Sequence, residues 1–360
     1  MIQIRSRKSA AVKVIFAVIC LIVSSMLWSN SVEAASPIKM KFAWPATPKH
    51  PWTSHAQEWV KELSEASNGT VVIDFYGAEA LGKAPEYWDI VTEGLADMAL
   101  FSCAYNPARF QLTTFFELPF FSTNAQTSYD VGLALWDKQL ITKEFGNIKP
   151  LMISMSPPSQ IFSNKKISNV NDFKGRRLFG ATPVSSKSFA LLGAQSVSMS
   201  MQDVYLALER KTLDAGITNW TSVMGYRWIE VVKYPIDISL MGGYFHSFIM
   251  NGKSWNKLSP EVQEAWTKIC EKYGHRFIDV MDKYEAVGRK RWPDAGKPIE
   301  KFPAEEKEKL AVILAPVWQD WIDRMEKAGK PGKEVYKTYV EILKKKGEPV
   351  VIKVPGLYEN

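Results

Sequence analysis

The sequence predicts an α/β protein of two lobes that enclose a cleft, and three observations carry this expectation. Strand-like and helix-like segments alternate from Ile38 to Phe101 in the order β-α-β-α-β, which calls for a parallel sheet with right-handed crossovers. A second alternation of the same kind runs from Pro150 to Thr218. The stretch Ile236 to Asn251 then reads as one long extended segment, able to cross between the two halves.

Each element has a local reason. Ile38 to Trp44 alternates apolar and polar residues as a strand does. His55 to Ala66 places Ala56, Trp59, Val60 and Leu63 at i, i+3, i+4 and i+7, one face of a helix that Asn68-Gly69 stops. Thr70 to Tyr76 is a second strand, Pro85 to Glu93 a helix ended by Gly94, and Ala96 to Phe101 a third strand. In the second half, strands are expected at Pro150–Ser156, Gln160–Asn164, Arg177–Phe179 and Ala215–Thr218. Helices are expected at Ser185–Leu192, Met201–Arg210, Ser259–Met281 and Ala304–Lys327, with short helical turns at Val170–Lys174 and Ile229–Val232. In sheets of this kind, ligands bind beyond the carboxyl ends of the strands.

The ends and the composition bound the setting. Arg5, Arg7, Lys8 and Lys13 precede an apolar run from Val14 to Trp28, followed by small residues around Ala34. This is the layout of a secretory leader, with cleavage expected after Ala34. The run is short for a membrane-spanning helix, and no later stretch approaches that length. The chain carries a formal charge of +7, and a leader ending at Ala34 removes four basic residues and one acidic, leaving +4. That charge is spread out and lacks the basic stripe with aromatics of a nucleic-acid binder. Cys20 leaves with the leader, so Cys103 and Cys270 remain and are expected as buried free thiols, with no metal-ligand spacing.

No catalytic motif appears. The chain has no Gly-x-Ser-x-Gly, no phosphate-cradling glycine loop and no His-Glu-x-x-His. Of its four histidines, His50, His55, His246 and His275, the first two are five apart, off the spacing of a helical metal pair, and no carboxylate cluster joins them. A protein without catalysis and without a cofactor or metal is expected.

A series of segments in fixed order points to a family. Gly77-Ala78-Glu79-Ala80-Leu81-Gly82 is followed by Glu93-Gly94-Leu95-Ala96-Asp97-Met98-Ala99, then Tyr105-Asn106-Pro107-Ala108-Arg109-Phe110, then Glu117-Leu118-Pro119-Phe120-Phe121. The second half adds Asn171-Asp172-Phe173-Lys174-Gly175-Arg176-Arg177-Leu178, then Met201-Gln202-Asp203-Val204-Tyr205 and Leu213-Asp214-Ala215. From about residue 38 to 325 the chain resembles the extracytoplasmic solute receptors of tripartite ATP-independent periplasmic (TRAP) transporters. The resemblance implies the type II periplasmic-binding-protein fold, with a long C-terminal helix spanning both lobes. Lobe I would be residues 35–157 completed by about 248–285, lobe II residues 158–247 completed by about 286–325, with residues 326–360 packing across them. It also implies a periplasmic protein that closes by a hinge on a small organic solute, usually a carboxylate. Its partners would be a small and a large membrane subunit driven by an ion gradient. A ligand sensor that docks to a signalling receptor is the other class of function left open.

One departure is specific. The family usually places a carboxylate-gripping arginine four residues after the glycine of the Lys-Gly pair, and here that position is Phe179. A second arginine expected ahead of Ser163-Asn164 is replaced by Ser159-Gln160. A cleft walled by Trp44, Tyr105, Phe162, Phe179 and Trp220 is therefore expected, with Asn106, Gln160 and Asn219 orienting an uncharged or weakly anionic solute. The alternative is a carboxylate receptor whose anchor has moved to Arg109, Arg177 or Lys83.

Overall fold

The computed structural model describes residues 36–180 and 182–358; the expected leader, Cys20 and the cleavage position lie outside the described residues. Lobe I holds β1 (Ile38–Ala43), α1 (Pro51–Ala66), β2 (Val71–Tyr76), α2 (Tyr87–Glu93), β3 (Met98–Ser102), α3 (Ala125–Asp137) and β4 (Lys149–Met155). Lobe II holds β5 (Ser159–Ser163), β6 (Arg177–Phe179), α4 (Pro183–Leu191), β7 (Gln195–Val197), α5 (Met201–Glu209), β8 (Ala215–Thr218), α6 (Trp220–Gly225) and β9 (Tyr234–Met241). The chain continues through β10 (Phe245–Met250), α7 (Gly252–Trp255), α8 (Pro260–Asp294), β11 (Glu300–Lys301), α9 (Ala304–Lys327) and α10 (Gly332–Lys346).

Two sheets result, ordered β2-β1-β3-β10-β4 and β11-β9-β5-β8-β6-β7. β1 and β3 are parallel, as the crossover pattern requires. The sheets are nonetheless mixed rather than fully parallel. β10 runs antiparallel to both β3 and β4, and β5 antiparallel to both β8 and β9. These strands enter their sheets directly from the other lobe, without a crossover helix to turn them round.

The extended segment expected from Ile236 to Asn251 is two strands, one in each sheet, broken at Gly242-Gly243-Tyr244. Both glycines are required there. A β-carbon on Gly242 would overlap the Phe116 carbonyl, and one on Gly243 the Ser156 carbonyl. The neighbouring crossing is tied to this one, since Ser156 Oγ accepts from the Tyr244 N–H at 2.7 Å.

α8 is longer than the sequence suggested, running past Met281 to Asp294. Its 35 residues span about 52 Å at 1.5 Å per residue. Near its start Trp266 Nε1 donates to the Leu63 carbonyl of α1 at 2.9 Å. Near its end Gly288 lets it press against the Trp220 backbone of α6. That second half is mostly polar, so apolar periodicity fades where the helix leaves lobe I, although Trp292 anchors it. α9 also touches both lobes: Trp318 Nε1 donates to the Pro119 carbonyl at 3.0 Å, and Asp320 pairs with Lys187 of α4 at 2.5 Å. α3 and α10 were not anticipated from periodicity. α10 packs on α3 and α9, with the Tyr339 hydroxyl donating to the Phe121 carbonyl at 2.8 Å. Cys103 and Cys270 are buried free thiols, as expected. Among the described residues no helix is long and apolar enough to cross a membrane.

Candidate functional site

A cavity of about 120 Å³ lies between the lobes, where the carboxyl ends of the strands meet. That exceeds the room one water needs, roughly 10–15 Å³ on the same measure. Lobe I contributes His50 and Trp52 at the start of α1, Glu79 from the loop after β2, Ser102 at the end of β3, and Tyr105. Lobe II contributes Phe179 at the end of β6, Thr182 ahead of α4, Gln202 on α5, and Asn219, Ser222 and Tyr226 around α6. Tyr244 and His246 come from the crossing strand, and Met281 from α8. The lobes meet across the mouth, where Gln202 Nε2 donates to the Pro45 carbonyl at 2.8 Å and the Tyr105 hydroxyl faces the Met201 N–H.

Among the described residues no lysine or arginine lines this cavity, and Glu79 is the one carboxylate that does. Burial holds both cavity imidazoles, His50 and His246, down to about 4, so each is neutral at pH 7. Burial together with the Glu79 charge pushes the Tyr105 hydroxyl up to about 12. Tyr226 and Tyr244 are raised for the same first reason, burial. The wall is thus a set of neutral donors and acceptors on aromatic rings.

Four helices, α1, α4, α5 and α6, begin at the cavity, and helix N-termini ordinarily favour anions. At α1, α4 and α6 the chain supplies its own acceptors, whereas Ser200 ahead of α5 makes no side-chain cap. His50 Nδ1 takes the Trp52 N–H at 3.2 Å, Thr182 Oγ1 takes Ser185 N–H at 3.3 Å, and Asn219 Oδ1 takes Ser222 N–H at 2.8 Å. Glu285 of α8 takes the Trp220 and Thr221 N–H groups at 3.2 and 2.7 Å. Pro51 and Pro183 open α1 and α4 and have no N–H to offer.

Beneath the floor lies Glu117, buried beside Phe179 and Tyr244. Its Oε2 has no hydrogen-bond partner, and burial, opposed only by the nearby Thr182 side chain, raises the carboxyl from 4.5 to about 8. The folded state therefore holds a proton that the unfolded chain releases between these values. The stability this contributes is complete below about pH 4.5 and is lost as pH rises through about 8. Melting temperatures across pH 5–9 are expected to fall more steeply for the native chain than for Glu117→Gln, which is neutral throughout. Parallel profiles would show Glu117 ionised in the fold.

Of the expected site residues, the structure brings Tyr105, Phe179 and Asn219 together at the cavity. The other seven are placed elsewhere. Trp44 is fully buried in the lobe I core, its indole bonded to Thr53 Oγ1 at 2.9 Å and its ring near Phe75 and Phe248. Asn106 caps its own turn by accepting from the Arg109 N–H. Arg109 lies over the Trp88 ring and donates to the Glu144 carbonyl at 3.1 Å. Gln160 fills a register shift between β5 and β9, its Oε1 accepting from the Ile238 and Ser239 N–H groups at 2.8 Å each. Phe162 and Trp220 pack together at 5.1 Å in the lobe II core, with Trp292. Arg177 pairs with Asp214 at 3.1 Å. Lys83, the third candidate anchor, pairs with Glu79 at 3.1 Å. Each of the three candidate anchor cations thus has a partner within the protein, and none of them lines the cavity.

Sequence reasoning passed over His50, Trp52, Glu79, Gln202, Tyr226, Tyr244 and His246. Some signal was present: Pro51, Pro183 and the Asn219-Trp220 pair mark helix starts right after strands, where N-terminal turns face a cleft. Glu79 stood in the 77–82 segment that carries the family resemblance, but nothing there marked it as a cavity residue.

The family profile described as Bacterial extracellular solute-binding protein, family 7, matches residues 42–324. The C4-dicarboxylate-binding periplasmic protein DctP of Vibrio cholerae is 24% identical over 316 residues, covering 84% of this chain and 94% of that protein. A TRAP solute binding protein from Rhodoferax ferrireducens T118, solved with copurified benzoate, superposes with a TM-score of 0.80 at 23% identity, over 86% of this chain and 98% of that one. A TRAP periplasmic solute binding protein from Bordetella bronchiseptica, solved with (R)- and (S)-mandelate, gives 0.79 at 20% identity, over 86% and 99%. The fold is the type II periplasmic-binding arrangement of two α/β lobes with a long C-terminal helix.

Proposed function

The chain belongs to the bacterial extracellular solute-binding proteins, family 7, and we propose that the solute it passes to a TRAP transporter bears no negative charge. It is a periplasmic receptor that binds a small organic solute between its two lobes, and its partners are the membrane subunits of that transporter.

The observation that carries the proposal is the absence of any cationic side chain from the cavity wall among the described residues, with Phe179 at the end of β6. A carboxylate enclosed there without a charged partner loses hydration worth several kcal/mol, about 2–7 even for a neutral polar group. Three of the four helix N-termini that could replace a guanidinium, those of α1, α4 and α6, already hold the chain's own acceptors. The aromatic lining instead favours burial of a ring or apolar body, with Asn219, Gln202 and Ser222 offering hydrogen bonds for orientation.

The reading includes export with cleavage after Ala34, and binding without turnover. One measurement tests all three parts. Native mass spectrometry of protein purified from the periplasm should show a polypeptide beginning at Ala35. The complex should release a neutral or basic small molecule, unchanged after prolonged incubation. Release of an organic acid would refute the charge assignment.

A further inference from the structure

Deepening the reading just given, and resting on it, we infer that the cleft recognises a cationic head group: an ammonium carried on an aromatic or apolar body, held by Glu79 among the rings of Trp52, Tyr105 and Tyr226. The Glu79 side chain is only 7% exposed, and it lines the cavity. Its Oε1 accepts the Ala84 N–H at 3.0 Å, and its Oε2 meets Lys83 Nζ at 3.1 Å. A carboxylate has about four acceptor directions, so these two partners leave it able to take a third donor.

Lys83 offsets Glu79 only in part. Its side chain is 59% exposed, where water weakens an ion pair. It is also shared, because Glu86 and Asp203 act on it as well as Glu79. Glu79, Glu86 and Asp203 together carry more negative charge than the one Lys83 ammonium offsets, which favours a cation over an anion there. Inside, Glu79 shares the cavity wall with the electron-rich rings of Trp52, Tyr105 and Tyr226. Such rings attract ammonium groups, most strongly where water is excluded. The neutral imidazoles of His50 and His246 add no opposing charge.

Three probes that share one ring separate the possibilities: benzylammonium, benzyl alcohol and benzoate, each titrated by calorimetry into the full mature protein. Benzylammonium is expected to bind tightest. Glu79→Gln should weaken it by about tenfold or more while leaving benzyl alcohol within about twofold. Lys83→Ala should strengthen it by about two- to fivefold, because the competing ammonium is gone. A purely structural role for the Glu79 loop would move both variants in one direction and would shift benzyl alcohol equally. The inference is overturned if benzylammonium does not bind, if benzyl alcohol matches it, or if Glu79→Gln leaves it unchanged. Benzyl alcohol binding tightest would remove the cation and keep the wider reading of a solute without negative charge. Benzoate binding tightest would remove both.

Discussion

Trp220→Ala is expected to lower stability by about 3–5 kcal/mol, the usual cost of truncating a buried aromatic, with a melting temperature lower by on the order of 10 °C. The residue follows Asn219, which lines the cavity, yet its own side chain is 1% exposed and turns away. It stands edge-on to Phe162 at 5.1 Å and packs against Trp292 of α8, with the Arg289 guanidinium 5.4 Å from its ring. Its backbone is the contact that Gly288 makes possible between α6 and α8. The truncation therefore opens a cavity at the joint between lobe II and the helix that spans the lobes. Affinity of the folded protein for its solute should move by no more than a few-fold. Thermal melts with and without solute check both halves of this statement. Unchanged melting with lost binding would place Trp220 in the cleft wall.

The contrast between Trp220 and Asn219 shows where the sequence stops being informative. The alternation of strands and helices placed most lobe elements within a few residues, though not α3, β7 or α6, because apolar periodicity follows from which face is buried. It also located the cleft in general terms, since the carboxyl ends of β3, β6 and β8 all converge there, bringing Tyr105, Phe179 and Asn219 with them. It could not say which way the neighbours of those residues point. Trp44 extends the face of β1 that carries Phe42, and both join the aromatic cluster around Phe248. Gln160 is buried because a register shift between β5 and β9 exposes two N–H groups that need an acceptor. Arg177 is held by Asp214, 37 residues away, and Arg109 by a carbonyl 35 residues away. Such pairings depend on the assembled sheet. His50 is instructive in another way: as a lone histidine it suggested nothing, and its place in the cleft follows from serving as the N-cap of α1.

Phe179→Arg is expected to produce the largest change in binding. The substitution puts a guanidinium at the end of β6, four residues after Gly175, where the family's carboxylate anchor ordinarily stands. In this chain the neighbouring void also contains Glu117, buried and raised to about 8. An arginine beside it would favour the ionised carboxylate and pull that value down, so part of the new charge is met inside the protein. The remaining donors of the fork face the cavity. The apo variant should melt lower than the native chain, because a guanidinium replaces a well-packed ring and is only partly paired. Benzoate affinity should nevertheless rise by about a hundredfold, the equivalent of one bidentate charged contact. Affinity for the natural solute should fall, since the new charge repels an ammonium and strips the wall of an aromatic face. Calorimetry on both proteins with benzoate and with the co-purified solute decides the matter. Tight benzoate binding by the native chain, or no gain on introducing the arginine, would show that a carboxylate is recognised here by neutral donors alone, and that Phe179 does not set the charge of the ligand.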